Sequence, residues 1–152
     1  DFCLSRGLGD VYKRQDTNSN NNGVHIGILL LRIVIGGILL FHGISKLHDI
    51  SFVKIQLVNH ALPSIWAYGV YIGEIVAPIL LIAGYRTRFF SMIIALNCLV
   101  AIFLVHKNEI FVINPDTGAW AIETLGLFLG GAICLCFLGG GKYVLSKKSK
   151  WD

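Results

Sequence analysis

The sequence predicts an all-α integral membrane protein, a bundle of four transmembrane helices with both termini in the cytoplasm. Hydrophobic residues make up 55% of the 152 residues and charged residues only 14%, whereas a soluble domain carries about 25% charge. The apolar residues also gather into runs long enough to cross ~30 Å of hydrocarbon as helices. This composition excludes a disordered chain, a basic nucleic-acid-binding domain and an ordinary cytosolic enzyme.

Four apolar runs are the predicted spans. They cover residues 24–45, 66–84, 89–106 and 119–140. Within these runs the charged residues are Arg32, Glu74 and Glu123. The runs are too long for short buried strands, and they lack the alternation of a transmembrane β-barrel. Helices are therefore the predicted form of all four.

The two ends of the chain are predicted to lie outside this membrane domain, which covers 24–146. Residues 1–15 have no initiator Met, no apolar core and no small-residue cleavage site, so we expect a non-native leader rather than a signal peptide. Residues 16–23, DTNSNNNG, are expected to form a flexible polar segment. Residues 147–152 are expected to form a basic cytoplasmic tail.

The lysines and arginines in the short flanks predict the orientation. One side carries the N-terminal flank, Arg86, Arg88 and the tail, and the other carries Lys46, Lys54 and Lys107. Because cytoplasmic loops hold an excess of Lys and Arg, both termini are predicted to be cytoplasmic. The net charge of +4 reflects this asymmetry and attraction to the lipid bilayer, and it indicates no nucleic-acid partner.

The segment between the first two spans is predicted to contain a short helix at the outer membrane interface. Phe52, Ile55 and Val58 recur there at helical spacing. Trp66 and Tyr68 would anchor the next span at headgroup level. We favour a purely structural role for this helix.

Two charges inside the spans predict a buried pair. A charge near the centre of a spanning helix costs at least about 2.5–3.5 kcal/mol. Arg32 and Glu74 differ in predicted depth by roughly 6 Å, which an arginine side chain can cover, and pairing would keep both charged. A pair that only fixes the helix register stays open as an alternative. The stripe of the first span that carries Arg32 also carries Gly36, His42, Gly43 and Lys46.

A second polar group is predicted in the outer half of the bundle. Its members lie at similar depths: His42, Lys46, His106 and Glu123. On the fourth span, Gly126 and Gly130 would permit close backbone approach. The hypothesis is a polar cavity that opens outward above Arg32 and Glu74; the alternative is that the histidines and Lys46 snorkel to the interface.

The remaining polar groups indicate no metal site and no disulfide. Carboxylate-bridged metal sites in bundles carry a Glu-x-x-His pair, which this sequence lacks. Asn97 is predicted to be an interhelical hydrogen-bond partner. Cys98, Cys134 and Cys136 lie inside apolar runs, where they are predicted to be small apolar packing residues.

Three stretches resemble the DoxX family of small bacterial membrane proteins: LLLRIVIGGILLFHGISKL, GVYIGEIVAPILLIAGYRTR and GAWAIETLGLFLGGAICLCFLGGGKYVLS. The resemblance runs from about 26 to 146. The residues that carry it are Arg32, His42, Gly43, Lys46, Leu47, the pair Gly73 and Glu74, the turn 84–88 and the tail 139–146. Two features depart from the family: Ala77-Pro78 stands where a glycine is expected, so that a kink would replace a close contact, and the tail lacks the usual Pro and Asp.

The resemblance implies a four-helix bundle in the bacterial cytoplasmic (inner) membrane. Some relatives are subunits of quinone-linked sulfur oxidation, and others associate with membrane redox or oxidative-stress proteins. We therefore expect an accessory subunit of a membrane redox complex, not catalytic alone, that partners an oxidoreductase and needs no covalent cofactor. Its polar site would hold a quinone head group or a partner's polar helix.

In this hypothesis Glu74 or Glu123 exchanges protons, while Arg32 and Lys46 supply compensating positive charge. The alternative is a small proton-coupled transporter or exporter that uses Glu74 as its coupling carboxylate. Such a protein would act as a homo-oligomer, with the glycines of the fourth span at its interface.

Overall fold

A computed structural model of the chain describes residues 2–115 and 118–146, with side chains described from residue 22 onward. The regular secondary structure of these residues is helical, apart from a single isolated bridge between Ile113 and Trp120, and turns and loops connect the helices. The main helices are α1 (Phe2–His48), α2 (Ser51–Asn59), α3 (Ser64–Ala83), α4 (Thr87–Leu104) and α5 (Glu123–Leu138). A short 3₁₀ turn, Lys107–Glu109, follows α4.

Three helical segments are long and apolar enough to cross a membrane: Asn22–His48 of α1, α3 and α4. The fourth apolar helix, α5, has 16 residues and is about 24 Å long, which is less than the ~30 Å hydrocarbon layer. The predicted all-helical membrane fold is confirmed, and three of the predicted spans correspond to helices long enough to cross a membrane. The fourth span and the orientation of the termini stay predictions.

The first helix is longer than its predicted span. It continues without a break from Phe2, so residues 16–23, which we expected to be a flexible segment, are helical. Extending an existing helix avoids the cost of nucleating a new one, which allows polar residues to join its end. The predicted basic tail, 147–152, lies outside the described residues.

The short helix predicted between the first two spans is present as α2. Phe52, Ile55 and Val58 are all exposed, and their spacing places them on one face of the helix. Trp66 and Tyr68, the predicted interfacial anchors, are also exposed, in the 3₁₀ turn that begins α3. An apolar face open to its surroundings is what an interfacial helix presents to lipid.

The helices α1, α3, α4 and α5 run alternately up and down, which gives the bundle two ends. At one end of the bundle, which we name the Lys46 end, α1 and α4 end and α3 and α5 begin. At the second, the Arg32 end, α3 passes through a turn into α4, and α5 passes into the tail 139–146. The apolar core lies between these ends and includes Ile35, Leu39, Leu81, Ile94 and Leu135.

Of the four glycines predicted to allow close packing between helices, two lie at a close contact between α1 and α3. A Cβ on Gly36 would lie 2.6 Å from Ile82 Cγ1, and one on Gly43 would lie 2.5 Å from the carbonyl oxygen of Glu74. On α5 the situation differs: a Cβ on Gly126 would meet the Trp120 ring at 2.9 Å, and none of the described atoms lies within 4 Å of one on Gly130. The glycines of α1 therefore bring α1 and α3 together.

Proline 78 changes the helix geometry just before it. Pro78 has no N–H to bond the carbonyl of Glu74, four residues earlier. The chain there forms a π-helical turn over Ile72–Val76. Where we expected a kink to replace a close contact, the π turn and the close approach of Gly43 occur together.

Candidate functional site

Arg32 is held by backbone carbonyls at the Arg32 end of the bundle. Its side chain is fully buried, with 0% exposure. Its Nε donates to the carbonyl oxygen of Leu81 at 2.9 Å and its Nη2 to that of Ile82 at 2.7 Å. Its Nη1 donates to the carbonyl oxygens of Gly140 at 2.9 Å and Tyr143 at 2.6 Å. One guanidinium therefore joins the end of α3 to the tail that follows α5.

The turn after α3 leaves room for this guanidinium. Gly84 is in the left-handed region, with φ +74°, and a Cβ there would collide with Nη2 of Arg32. Positive charge is favourable at this position because the last carbonyls of a helix carry partial negative charge. The glycine of the turn is therefore required both by its φ and by the arginine beside it.

The predicted pair between Arg32 and Glu74 is wrong. The carbonyl of Leu81, which Arg32 bonds, lies seven residues beyond Glu74 on α3, or about 10 Å along a helix. Arg32 instead donates hydrogen bonds to main-chain carbonyls at its own depth in the bundle. The sequence of side chains does not reveal such acceptors. Arg32 therefore does not form the floor of a cavity shared with Glu74.

Glu74 pairs with Lys46 near the other end of the bundle. Lys46 Nζ lies 2.5 Å from Glu74 Oε1, and Asn97 Nδ2 donates to the same oxygen at 3.4 Å. Residue Glu74 is only 5% exposed, whereas the Lys46 side chain is 34% exposed. The hydroxyl of Tyr71 donates to the backbone carbonyl of Lys46 at 3.2 Å. These contacts join α1, α3 and α4 at one carboxylate.

The second carboxylate oxygen of Glu74 is the unusual feature of this cluster. Oε2 is buried and accepts no hydrogen bond from any described residue. Buried polar atoms are nearly always hydrogen-bonded, and an unsatisfied acceptor costs more than a satisfied one contributes. The Lys46–Glu74–Asn97 cluster is therefore incomplete as a purely structural network.

The fold places Glu74 by close backbone packing on both sides. Gly43 of α1 lies against the Glu74 carbonyl, and a Cβ on Gly73 would lie 2.6 Å from Asn97 Cγ. The carboxylate projects from the π turn Ile72–Val76. Single π turns inside helices occur frequently at functional sites.

The neighbours of Glu74 differ on its two sides. Toward the Lys46 end its neighbour is the Lys46 side chain, which is 34% exposed. On the other side, Leu39, Ala77 and Ile94 belong to the buried apolar core, and Arg32 is also fully buried. Glu74 is therefore bounded by a partly exposed side chain on one side and by buried core residues on the other.

The other predicted site residues do not join this cluster. His42 packs edge-on against the Phe128 ring, with 6.0 Å between ring centroids. His106 Nδ1 pairs with Glu109 Oε2 at 2.7 Å in the turn after α4. Glu123 begins α5, rather than lying a turn inside it, and is exposed. The predicted six-residue site is thus reduced to Lys46 and Glu74, with Asn97 added.

The sequence predicts only part of the contacts that Asn97 and Glu109 make. Asn97 was expected to make an interhelical hydrogen bond, and it reaches Glu74. Glu109 was not considered, although it follows His106 by three residues, a spacing at which side chains meet in a helical turn. The separation of three residues between His106 and Glu109 is the sequence feature that predicts this pair.

Within the described residues, no group of three or more His, Cys, Asp or Glu side chains could hold a metal ion. Cys98, Cys134 and Cys136 are free thiols. Cys98 is buried in the core, as predicted for a small packing residue, and lies beside Asn97 on α4.

Comparison with known proteins identifies the family. A protein of Bacillus subtilis (strain 168) named "Putative oxidoreductase CatD" is 31% identical over 96 residues, which are 63% of this chain and 72% of that protein. No solved structure matches the chain significantly. The sequence model of the DoxX family matches residues 27–107, more than half of the chain. With its apolar helices, this multi-pass membrane protein belongs to the DoxX family.

Proposed function

We propose that the protein is an accessory subunit of a membrane redox complex and that its Lys46–Glu74–Asn97 cluster binds a quinone head group. The observation that carries the proposal is the buried Glu74 carboxylate, with one oxygen paired and the other without a hydrogen-bond donor among the described residues. The similarity to a protein named as an oxidoreductase supports the redox assignment. A partner oxidoreductase would supply the electron-transfer step.

The residues of the cluster suit a small polar ring with oxygens at both ends. The Lys46 ammonium carries donors beyond the one that meets Glu74, and these can bind a head-group oxygen. Asn97 offers a further polar group on α4. A bound quinone would supply two-electron, two-proton chemistry; the chain would orient the head group, and Glu74 Oε2 would accept a proton that the reduced form of the quinone releases.

The alternative transporter function receives less support. A proton-coupled transporter must expose its coupling carboxylate alternately to the two sides of the membrane. Glu74 is only 5% exposed, and buried apolar side chains and Arg32 lie on the side away from Lys46. A nearly buried carboxylate with an apolar core on one side supports a binding site for a membrane-dissolved head group better than a transport path.

The topology belongs to the same proposal. We infer that α5 with its flanking residues forms a fourth span, because it returns the chain to the Arg32 end, where α3 also ends. The excess of Lys and Arg in the flanks at that end favours the cytoplasmic side of a bacterial inner membrane. In a cysteine-free background, an impermeant thiol reagent added outside cells should label Lys107→Cys and leave Arg88→Cys unlabelled. The reverse pattern would contradict the orientation.

The test of the site is to identify what co-purifies with the protein. The full chain would be expressed in a quinone-containing bacterial membrane, purified in mild detergent and analysed by native mass spectrometry with lipid and quinone extraction. We expect stoichiometric quinone, or a co-purifying oxidoreductase, with the wild type. Quinone should be lost in Glu74→Leu, which removes the polar group from the site, and kept in Glu123→Leu, an equivalent change at an exposed glutamate.

The opposite result is equally clear. A homogeneous preparation that carries neither quinone nor an oxidoreductase would refute the redox-subunit proposal. Substrate flux in proteoliposomes containing this protein alone would then establish the transporter instead.

A further inference from the structure

We propose that the site at Glu74 selects the reduced, hydroxyl-bearing quinol over the oxidised quinone. This inference rests on the proposed function, which assigns a quinone head group to the cluster. It follows from the hydrogen-bonding state of one carboxylate: Oε1 faces the donors of Lys46 and Asn97, while the buried Oε2 has no donor among the described residues.

An ionised carboxylate accepts hydrogen bonds and donates none. Oε1 faces two donors, the Lys46 ammonium of the ion pair at 2.5 Å and the Asn97 amide at 3.4 Å, whereas Oε2 faces none among the described residues. The missing partner of Oε2 must therefore be a donor. A quinone presents carbonyl oxygens, which are acceptors, and would leave Oε2 unsatisfied. A quinol presents hydroxyl groups, and one of them can donate to it.

The neighbouring groups narrow the choice of donor. A cationic ligand would meet the positive charge of Lys46, which is already beside the carboxylate. The described residues contain no cluster of ligands for a metal ion. The side-chain amide of Asn97 is directed to Oε1. A neutral hydroxyl group meets these conditions without adding charge to a buried site.

The size of the selectivity follows from the cost of leaving this acceptor unpaired. Binding of the quinone keeps Oε2 buried without a donor, and binding of the quinol satisfies it. A hydrogen bond to a buried charged group changes affinity by about tenfold or more. We therefore expect the quinol to bind at least about tenfold more tightly than the quinone.

The experiment measures the two affinities on the same protein. Duroquinone and duroquinol, the second kept reduced with dithionite under anaerobic conditions, would be bound to the detergent-purified full chain by equilibrium dialysis. The wild type and the control Glu123→Gln should prefer duroquinol by about tenfold or more. In Glu74→Gln the side-chain amide can donate to a quinone carbonyl, so the preference should fall to about one or reverse.

The outcomes separate this inference from the proposed function. Equal affinities in the wild type, or tighter binding of duroquinone, would overturn the quinol preference and leave the quinone site intact. Binding of neither compound would overturn the site and, with it, the inference. An unchanged preference in Glu74→Gln would show that another group selects the hydroxyl. If that variant does not fold, the wild-type ratio alone decides.

Discussion

The replacement Arg32→Lys tests whether Arg32 is structural rather than part of the ligand site. The guanidinium bonds two carbonyls at the end of α3 and two in the tail. Lysine carries all its donors on one nitrogen and cannot reproduce this two-sided arrangement. With about two of the four bonds lost, at about 1.5–3 kcal/mol for each bond that involves a charged group, we expect the free energy of unfolding to fall by about 3–6 kcal/mol.

The effect should be local as well as global. Residues 139–146 are attached to the bundle through Gly140 and Tyr143, so their backbone amides should exchange hydrogen faster in Arg32→Lys. The exchange in α2, at the opposite end, should change little. Unfolding in denaturant-titrated detergent micelles gives the first quantity, and hydrogen exchange read by mass spectrometry gives the second.

Arg88→Lys is the matched control because it makes the same chemical change at an exposed arginine near the same end of the bundle. It should leave both measurements close to the wild type. If Arg32→Lys behaves like Arg88→Lys, then the hydrogen bonds to the tail do not stabilise the protein. Loss of bound quinone in Arg32→Lys, with stability and exchange unchanged, would restore Arg32 to the ligand site.

Three further replacements test the rest of the structure. Gly43→Ala places a Cβ 2.5 Å from the Glu74 carbonyl oxygen, so α1 must move away and unfolding in micelles should show a loss of about 1–3 kcal/mol. Lys46→Met leaves the buried carboxylate of Glu74 without its ion-pair partner, so unfolding in micelles should show a loss of about 1–3 kcal/mol. Hydrogen bonds from Ser51 lower the pKa of Asp49, so this carboxylate stabilises the fold above its ordinary pKa of 3.8, and the contribution is lost as pH falls through the lowered pKa. Ser51→Ala should return the Asp49 pKa toward 3.8, as measured by carboxyl carbon NMR.

Each of these predictions has an outcome that contradicts it. Gly37→Ala is the control for Gly43, because no described atom lies within 4 Å of a Cβ there; equal losses in both would disprove the close contact. The stability loss in Lys46→Met should shrink when Glu74→Gln is added, and an undiminished loss would show that the ion pair is not its cause. An unchanged Asp49 pKa in Ser51→Ala would exclude the Ser51 hydroxyl as a cause and leave the backbone N–H of residue 51, which the variant keeps.

The sequence predicts the spans well where a helix boundary coincides with a change in hydropathy. The second predicted span, 66–84, corresponds to Ser64–Ala83, and the third, 89–106, to Thr87–Leu104. The helix α5, which corresponds to the predicted fourth span, begins four residues later than the predicted start at residue 119. Trp120 is apolar but not helical: it forms the bridge with Ile113, and its indole donates to the Ile110 carbonyl at 2.7 Å. Hydropathy alone does not distinguish an apolar residue inside a spanning helix from one in the loop that precedes it.

The partners of the buried charges were harder to predict, for a physical reason. A comparison of the predicted depths of charged residues in the membrane pairs each charged side chain with another side chain. This comparison predicted that Glu74 pairs with Arg32. Backbone carbonyls at a helix end are acceptors for any residue type, so they leave no mark in the sequence pattern. Lys46 lay on the same stripe of α1 as Arg32, but its position at the helix end favoured an interfacial side chain over a partner for Glu74.

The two buried charges differ in how completely the protein satisfies them, and this difference separates structure from function. Arg32 donates four hydrogen bonds to the main chain, so its burial is explained by the joint that it makes between α3 and the tail. Glu74 has one oxygen paired and one buried without a donor, although the chain could have placed an apolar side chain there at no such cost. A polar group that is expensive to bury and incompletely satisfied by its own fold is best explained by a partner from outside it. Glu74, rather than Arg32, is therefore where a ligand of this protein should be sought.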